Sequence, residues 1–367
     1  MAQIANRFKS NALTRNAALG IVLFGAIVPA THAGNEVFLQ CAQKYPDNEI
    51  ARLKCYDQAA SGNTSGNTSE EQTNVSPAPA VPVSTATTAE RSYLTRAWNL
   101  DDLSSTDVTR IGRLQPYRMN YLIIRKSAKP NEQPSSPLPD HNVLTPYDLD
   151  AGEAKFQISF KADVGSQQHI DFFGIETFRL WVAYTQQSYW QVFNTRNSSP
   201  FRETNYEPEL IGTLGTGKLT GLKLVNIGLV HQSNGRPRPE SRSWNRIYLE
   251  GGWEWSNNVS FLVRGWHRIA EKPSNDDNPD ITDYVGKGDF VARWEPMDRS
   301  YSLSMLLRSN LDTDHNRGFM QVDWATPAKF GSAARIHVQI TSGYGESLID
   351  YNYRQTTFGL GFSFREW

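Results

Sequence analysis

The chain has 367 residues, with 37 Lys and Arg against 38 Asp and Glu and a formal net charge of −1, so it has no positive surplus for gripping a nucleic-acid backbone. At 39% hydrophobic and 20% charged residues it is too polar for a bundle of transmembrane helices. Its 11% aromatics, 26 Gly and 19 Pro suit strands and turns better than long helices, so an all-β fold is the leading expectation.

Arg7, Lys9 and Arg15 precede an apolar run from Ala17 to Val28, followed by small residues up to Ala33. The run is too short to span a bilayer and has the order of a secretory signal, so residues 1–33 are expected to be cleaved near Ala33. Cleavage removes three basic residues and no acidic one, leaving a mildly acidic exported chain. Residues 34–60 hold both cysteines, Cys41 and Cys55. In an oxidising compartment a disulfide is the default, closing a loop that stabilises the segment by about 3 kcal/mol in the chain-entropy model. Metal ligation is the weaker reading, since a structural zinc site wants four ligands and no His lies nearby. Residues 61–90, with a repeated SGNT, a Pro-Ala stretch and no aromatic, read as a flexible tether. The small module is thereby expected in the periplasm, with 91–114 as a lead-in to the main domain.

From about 115 to 367 the pattern is alternating segments of about ten residues broken by turn signals. In Phe178 to Val192 the even positions Phe178, Leu180, Val182 and Tyr184 are apolar, and the odd ones include Arg179, Thr185 and Gln187. In Leu224 to Ser233 the odd face carries Val225, Ile227 and Leu229. From Asn245 to Trp255 the odd set is Asn245, Ile247, Leu249, Gly251, Trp253 and Trp255, against Arg246, Glu250 and Glu254 on the even face. The last segment alternates Phe358, Leu360, Phe362 and Phe364 with small or polar residues and stops at Trp367, as outer-membrane barrels tend to end. Such segments fall near 117–126, 156–164, 178–193, 206–214, 222–236, 245–255, 259–269, 283–296, 301–310, 317–327, 334–347 and 351–366. An even count of about twelve closes an antiparallel transmembrane β-barrel, and lipid demands closure because it offers no partner to a strand edge. A soluble sandwich would have to hide these apolar faces against a second sheet, and the many Trp and Tyr look instead like interfacial girdles.

If the apolar odd face of 222–236 meets lipid, His231 and Ser233 point outward after Leu229. A hairpin register pairing 231 with 245 sets Asn245 beside them, making a polar cluster where unpaired polar groups are costly. One reading places the three at the headgroup level with no chemistry. The other is nucleophilic catalysis: Ser233 attacks an ester carbonyl, His231 takes its proton, and Asn245 orients the ring, a neutral group where an Asp would carry charge beside hydrocarbon.

The runs HQSNGRPRPESRSWNRIY at His231 to Tyr248, YTQQSYWQ at Tyr184 to Gln191 and SSPFRETNYEPEL at Ser198 to Leu210 closely resemble bacterial outer-membrane phospholipase A, over roughly 115 to 367. The resemblance implies a twelve-stranded barrel that hydrolyses acyl esters of membrane phospholipids, needs Ca2+, and acts as a homodimer. It implies Ser233 as nucleophile, His231 as base, Asn245 as orienter, and the N–H of Gly235 facing the oxyanion. It implies calcium held by the carbonyl of Arg236, the hydroxyl of Ser241 and, across the dimer, Ser198. Ser198 is placed by its neighbours, because the stretch from Val192 differs in length from the family pattern. Gln186 interrupts the lipid face and matches the family's dimer-contact glutamine. The alternative is a glutamine shielded within its own barrel. The acidic runs SNDDNPD at Ser274 to Asp280 and DTDH at Asp312 to His315 are expected to be solvated loops. A non-enzymatic channel or adhesin barrel is the rival function, predicting conductance through a polar lumen and lipids unchanged by Ser233→Ala.

Overall fold

In a computed structural model of the chain, the described residues are 41, 43–45, 51, 53–55, 92–100, 112–216, 221–256, 258–296, 298–328 and 334–364. The signal segment, the tether and the terminal Trp367 therefore lie outside the described residues. The chain divides into two units, Met1–Pro82 and Val83–Trp367. In the first, the described residues around Cys41 and Cys55 are helical, and a disulfide joins the two with Cα atoms 5.7 Å apart, as expected.

The second unit holds thirteen strands in one antiparallel sheet: β1 Leu114–Pro116, β2 Tyr121–Ser127, β3 Gly152–Phe172, β4 Ile175–Trp190, β5 Phe201–Thr216, β6 Leu222–Ser233, β7 Ser243–Glu254, β8 Val259–Ile269, β9 Gly288–Trp294, β10 Ser302–Ser309, β11 Gly318–Pro327, β12 Ala334–Gly343 and β13 Gln355–Phe364. Neighbours in sequence pair in turn, and β13 pairs back onto β2. Closure leaves no free edge, so the strand backbone is satisfied without water. The short β1 adds to β3 at Phe160 to Ala162, beyond the last pairing of β2 at Gln157, so β1 and β2 share one place in the wall. The barrel thus has twelve strands. Among the described residues no helix is long and apolar enough to cross a membrane; the chain crosses with strands.

Both faces follow the alternation. Leu122, Ile124, Val182, Ile227, Leu229, Leu249, Phe358, Leu360 and Phe362 are exposed on the outer wall, while Arg125, Lys155, Glu207, Glu209, Asn226, Glu250 and Asp323 are buried inside. Many of the interior charges are paired: Arg125 with Glu153 and Glu346, Lys155 with Glu346 at 3.0 Å, Arg118 with Glu207 and Glu209 at 2.8 and 2.7 Å, and Arg264 with Glu250 at 2.6 Å. A cavity of about 290 Å³ remains among them. The aromatic residues divide more evenly than a girdle requires. Trp253, Trp255, Trp294 and Trp324 are on the outer face, but Trp98, Trp181, Trp244 and Trp266 are buried within the barrel with Tyr121, Tyr189 and Tyr248.

A six-residue helix, α1 (Tyr93–Trp98), fills one end of the lumen. So short a helix is marginal alone and is held by tertiary contacts. Leu94 and Trp98 are buried, the Leu94 N–H donates to Glu254 at 2.8 Å, and Lys161 Nζ lies 3.2 Å from the Trp98 ring centroid. Asn99 ends the helix in the left-handed region, its N–H donating to the Thr95 carbonyl. At this end the connections are short, at 173–174, 217–221, 255–258, 295–301 and 328–333. The opposite end carries the long segments 128–151, 191–200, 234–242, 270–287, 310–317 and 344–354. Several expected strands shift: 156–164 is only the middle of β3, 206–214 lies within the longer β5, 334–347 and 351–366 overrun β12 and β13, and 283–296 opens with a helical turn, α2 (Ile281–Tyr284), before β9 begins at Gly288.

Candidate active site on the outer wall

At the long-loop end of β6 and β7 the register is the expected one, with His231 opposite Asn245 and Ser233 opposite Ser243. The inward neighbours hold these strands. The buried Trp244 donates its indole N–H to Gln232 Oε1 at 2.8 Å, and Arg246 reaches the same oxygen at 3.2 Å. Because successive side chains alternate, fixing 232 and 244 inside fixes His231, Ser233 and Asn245 on the outside.

His231 Nδ1 and Asn245 Oδ1 are 2.8 Å apart. A carboxamide oxygen only accepts, so Nδ1 carries the proton and Nε2 keeps a free lone pair. The Asn245 amide N–H donates in turn to Glu271 Oε1 at 3.0 Å. Ser233 stands two residues beyond His231 on the same face, opposite Tyr206 of β5. Among the described residues its hydroxyl makes no hydrogen bond, leaving it free to turn toward the ring. Such bonds are often loose without substrate.

The connection 234–242 is tied by one buried side chain. Asn234 Oδ1 accepts from the N–H of Arg242 at 3.0 Å and of Arg236 at 3.3 Å, and its amide donates to the Glu240 carbonyl at 2.7 Å. Gly235 follows at φ +62°, a region costly for other residues, and a Cβ there would meet the Tyr206 ring at 3.1 Å. The Gly235 N–H makes no hydrogen bond among the described residues. Arg236 donates to the carbonyls of Phe201 and Arg202, both at 2.7 Å, and pairs with Glu240 at 2.5 Å, while its own carbonyl accepts from no described residue. Glu240 also accepts from the Tyr147 hydroxyl, and burial, reinforced by this contact, raises the tyrosine's pKa well above its usual value.

Ser241 corrects the expectation for SNDDNPD. Its hydroxyl donates to Asp277 Oδ2 at 2.5 Å, and the other carboxylate oxygen of Asp277 is 2.9 Å from His141 Nε2. Asp276, Asp277 and Asn278 are buried, because the acids meet Arg268, His141 and Ser241 from other segments. DTDH is exposed, as expected. Ser198 lies at φ +61° after the short turn Thr195–Asn197, with no hydrogen bond to Arg236 or Ser241 among the described residues. Gln186 lies on the outer face, but Tyr184 OH donates to its oxygen at 3.0 Å and its amide donates to Ser188 at 3.3 Å. It is therefore partly satisfied within its own barrel. Among the described residues no group of three His, Cys, Asp or Glu is arranged to hold a metal ion.

Two of these residues escaped the sequence reading. Glu271 lies two positions past the end of β8 on the face of Ile269, and Asp277 lies inside the run assigned to solvent. The first becomes visible by extending the odd face of 259–269 past its end. The second depends on partners distant in sequence.

A sequence model of the family described as phospholipase A1 matches residues 94–364. A putative phospholipase A1 of Neisseria meningitidis is 33% identical over 388 residues, covering 96% of this chain and 97% of that protein. The phospholipase A1 of Escherichia coli K12 is 34% identical, covering 68% of this chain and 80% of its own. Among solved structures, outer membrane phospholipase A from Escherichia coli aligns with a TM-score of 0.58 at 34% identity, over 69% of this chain and 98% of its own. The Salmonella typhi outer membrane phospholipase, a dimer with bound calcium, aligns with the same score and identity over 69% and 93%.

Proposed function

The chain belongs to the phospholipase A1 family and is an outer-membrane phospholipase, and from that premise we propose that it cleaves acyl esters with Ser233 as nucleophile, His231 as base and Asn245 as orienter of the base. The observation that carries the reading is the His231–Asn245 contact on the outer wall, with Ser233 on the same face. Nε2 takes the Ser233 proton as Oγ attacks the ester carbonyl, and the imidazolium returns it to the departing alkoxide. Nε2 then takes a proton from a water that attacks the Ser233 acyl ester, releasing the fatty acid as the proton passes back to Ser233 Oγ. The unengaged N–H of Gly235 faces the developing oxyanion. Leu229, Ile247 and Ile269 flank the site, offering an acyl chain an apolar wall at bilayer depth.

Calcium is part of the proposal. The Salmonella relative is a calcium-bound dimer. Here the residues fit a hard cation: the Arg236 carbonyl is unengaged, and the Ser241 hydroxyl sits against the Asp277 carboxylate, which brings negative charge to a set otherwise neutral. Arg236 and Ser241 would hold the ion, with Ser198 of a second copy completing the set. When bound, it supplies positive charge beside the developing oxyanion.

In such barrels the long loops face outward, so the site meets the outer leaflet. Phospholipid reaching that leaflet in a damaged membrane supplies substrate, and pairing of two barrels, with Gln186 at the contact, supplies a second control. The test is acyl release from phosphatidylcholine in mixed micelles by wild type and Ser233→Ala, each with calcium and with excess chelator. Activity is expected in wild type with calcium alone. Survival in the chelator removes the calcium site from the reading, and equal activity in Ser233→Ala overturns the nucleophile.

A further inference from the structure

We propose that Glu271 is a positioning residue for the reaction, setting the Asn245 carboxamide so that its oxygen faces His231. The inference rests on the reading of Ser233, His231 and Asn245 given above, and adds a fourth member to their chain.

A carboxamide is nearly symmetric in shape, and His231 alone does not fix which end it meets. If the amide N–H faced the ring, Nδ1 would have to accept and the proton would move to Nε2, the nitrogen that must receive the Ser233 proton. Glu271 removes that ambiguity. An ionised carboxylate only accepts, so the amide end facing it must be the NH2 and the end facing His231 the oxygen. The observed geometry obeys this, with Nδ2 to Oε1 at 3.0 Å and Oδ1 to Nδ1 at 2.8 Å.

The placement follows from the wall. Asn245 is opposite Ile269, and Glu271 is two residues further along the same face, just past the end of β8. The catalytic line thus crosses β6, β7 and the end of β8. Among the described residues no Lys or Arg pairs with Glu271, and its hydrogen bond is the one to Asn245. Its charge is therefore not neutralised locally and polarises the amide toward the ring. This bears on the oddity of a neutral orienter: a carboxylate one residue removed stabilises the imidazolium through the amide, while standing half-exposed at the strand end. Other titratable groups on this outer face include His267 of β8, Tyr206 of β5 and Tyr184 of β4, whereas Arg236 and Glu240 in the adjoining loop pair with each other.

The test uses full-length wild type, Glu271→Gln, Glu271→Asp, Asn245→Ala and the Glu271→Gln/Asn245→Ala pair in mixed micelles with calcium. Heat-shifted gel migration reports the folded barrel. A glutamine either accepts or donates and so no longer dictates the amide's orientation. Glu271→Gln is expected to lower kcat about tenfold with KM within about twofold. The acidic limb of its rate–pH profile should move to lower pH by roughly half a unit, since the protonated ring loses a nearby negative charge. Glu271→Asp should restore part of the rate, and the pair should be no slower than Asn245→Ala alone. An unchanged kcat and pH profile in Glu271→Gln, or an equal loss in the Asn245→Ala background, overturns the inference. A fluorophosphonate label separates the layers. Labelling of wild type at Ser233 with an unaffected Glu271→Gln overturns only the role of Glu271, whereas no labelling at Ser233 removes the catalytic reading and this inference with it.

Discussion

Asn245 makes two hydrogen bonds of opposite sense, accepting from a ring on one side and donating to a carboxylate on the other. That polarity decides which nitrogen of His231 is free, and so ranks the expected losses. Ser233→Ala and His231→Ala remove the proposed nucleophile and base, and each should lower kcat by about a thousandfold or more, down to what binding and the oxyanion donor supply alone. Asn245→Ala leaves both in place and should lose far less, about ten- to hundredfold, read as initial acyl release from micellar substrate. Gly235 tests a different quantity. An alanine there must adopt φ +62° and press on Tyr206, costing about 1–2 kcal/mol locally in a connection already tied by Asn234. Gly235→Ala should therefore lower kcat more than tenfold while the melting temperature falls by only a few degrees, because the strain turns the N–H without touching the barrel. A wild-type rate in Gly235→Ala would take Gly235 out of the oxyanion site.

The strands were legible in the sequence because each is read by two different media. On β6, lipid selects Ile227 and Leu229 at alternate positions, and the protein interior selects Asn226 on the opposite face, with Glu250 beside it on β7. The same rule places 231 and 245 on one face, whereas their pairing opposite each other had to be assumed and is seen in the β6–β7 register. The connections obey no such rule. Asp277 is buried because His141, from the segment 128–151, and Ser241, from 234–242, both meet it, and nothing in the spacing of SNDDNPD announces partners so far away. In the same way the turn α2 interrupts what reads as a strand, since Ile281 is buried in the core with Tyr351 rather than facing lipid. Burial and the hydrogen bond from Tyr351 act in opposite senses on Asp280 at its start, and burial prevails, holding that carboxyl above the usual range. On the proposed calcium site the buried Asp277 should have a measurable effect. Asp277→Ala frees the Ser241 hydroxyl and removes the charge beside it, so the calcium concentration for half-maximal activity should rise about tenfold, with maximal rate largely kept at saturation. An unchanged calcium requirement would assign Asp277 to holding the loops alone.

On the scale of the whole barrel, the inside and the outside have separate tasks. The interior is crossed by ion pairs and filled at one end by α1, with a cavity of about 290 Å³ among them, an arrangement that suits a stiff wall. A stiff wall matters on the proposed reading, which puts the chemistry outside, where His231, Ser233 and Asn245 hold their geometry only as well as β6 and β7 do. The outer face is also where the proposed control by pairing would act. Gln186 already exchanges hydrogen bonds with Tyr184 and Ser188, so it enters a dimer with little unmet demand. Its contribution should lie at the low end for polar contacts in a membrane, about 0.6 kcal/mol, which is roughly threefold in an association constant. Diluting wild type with detergent at fixed calcium should therefore lower specific activity as pairs separate, and Gln186→Ala should shift that curve by about threefold toward higher protein-to-detergent ratios without changing its plateau. A Gln186→Cys protein crosslinked across the pair should be active independently of dilution. If specific activity of wild type stays flat across the dilution while labelling of Ser233 is complete, a single barrel suffices and the second copy has no part in the reaction.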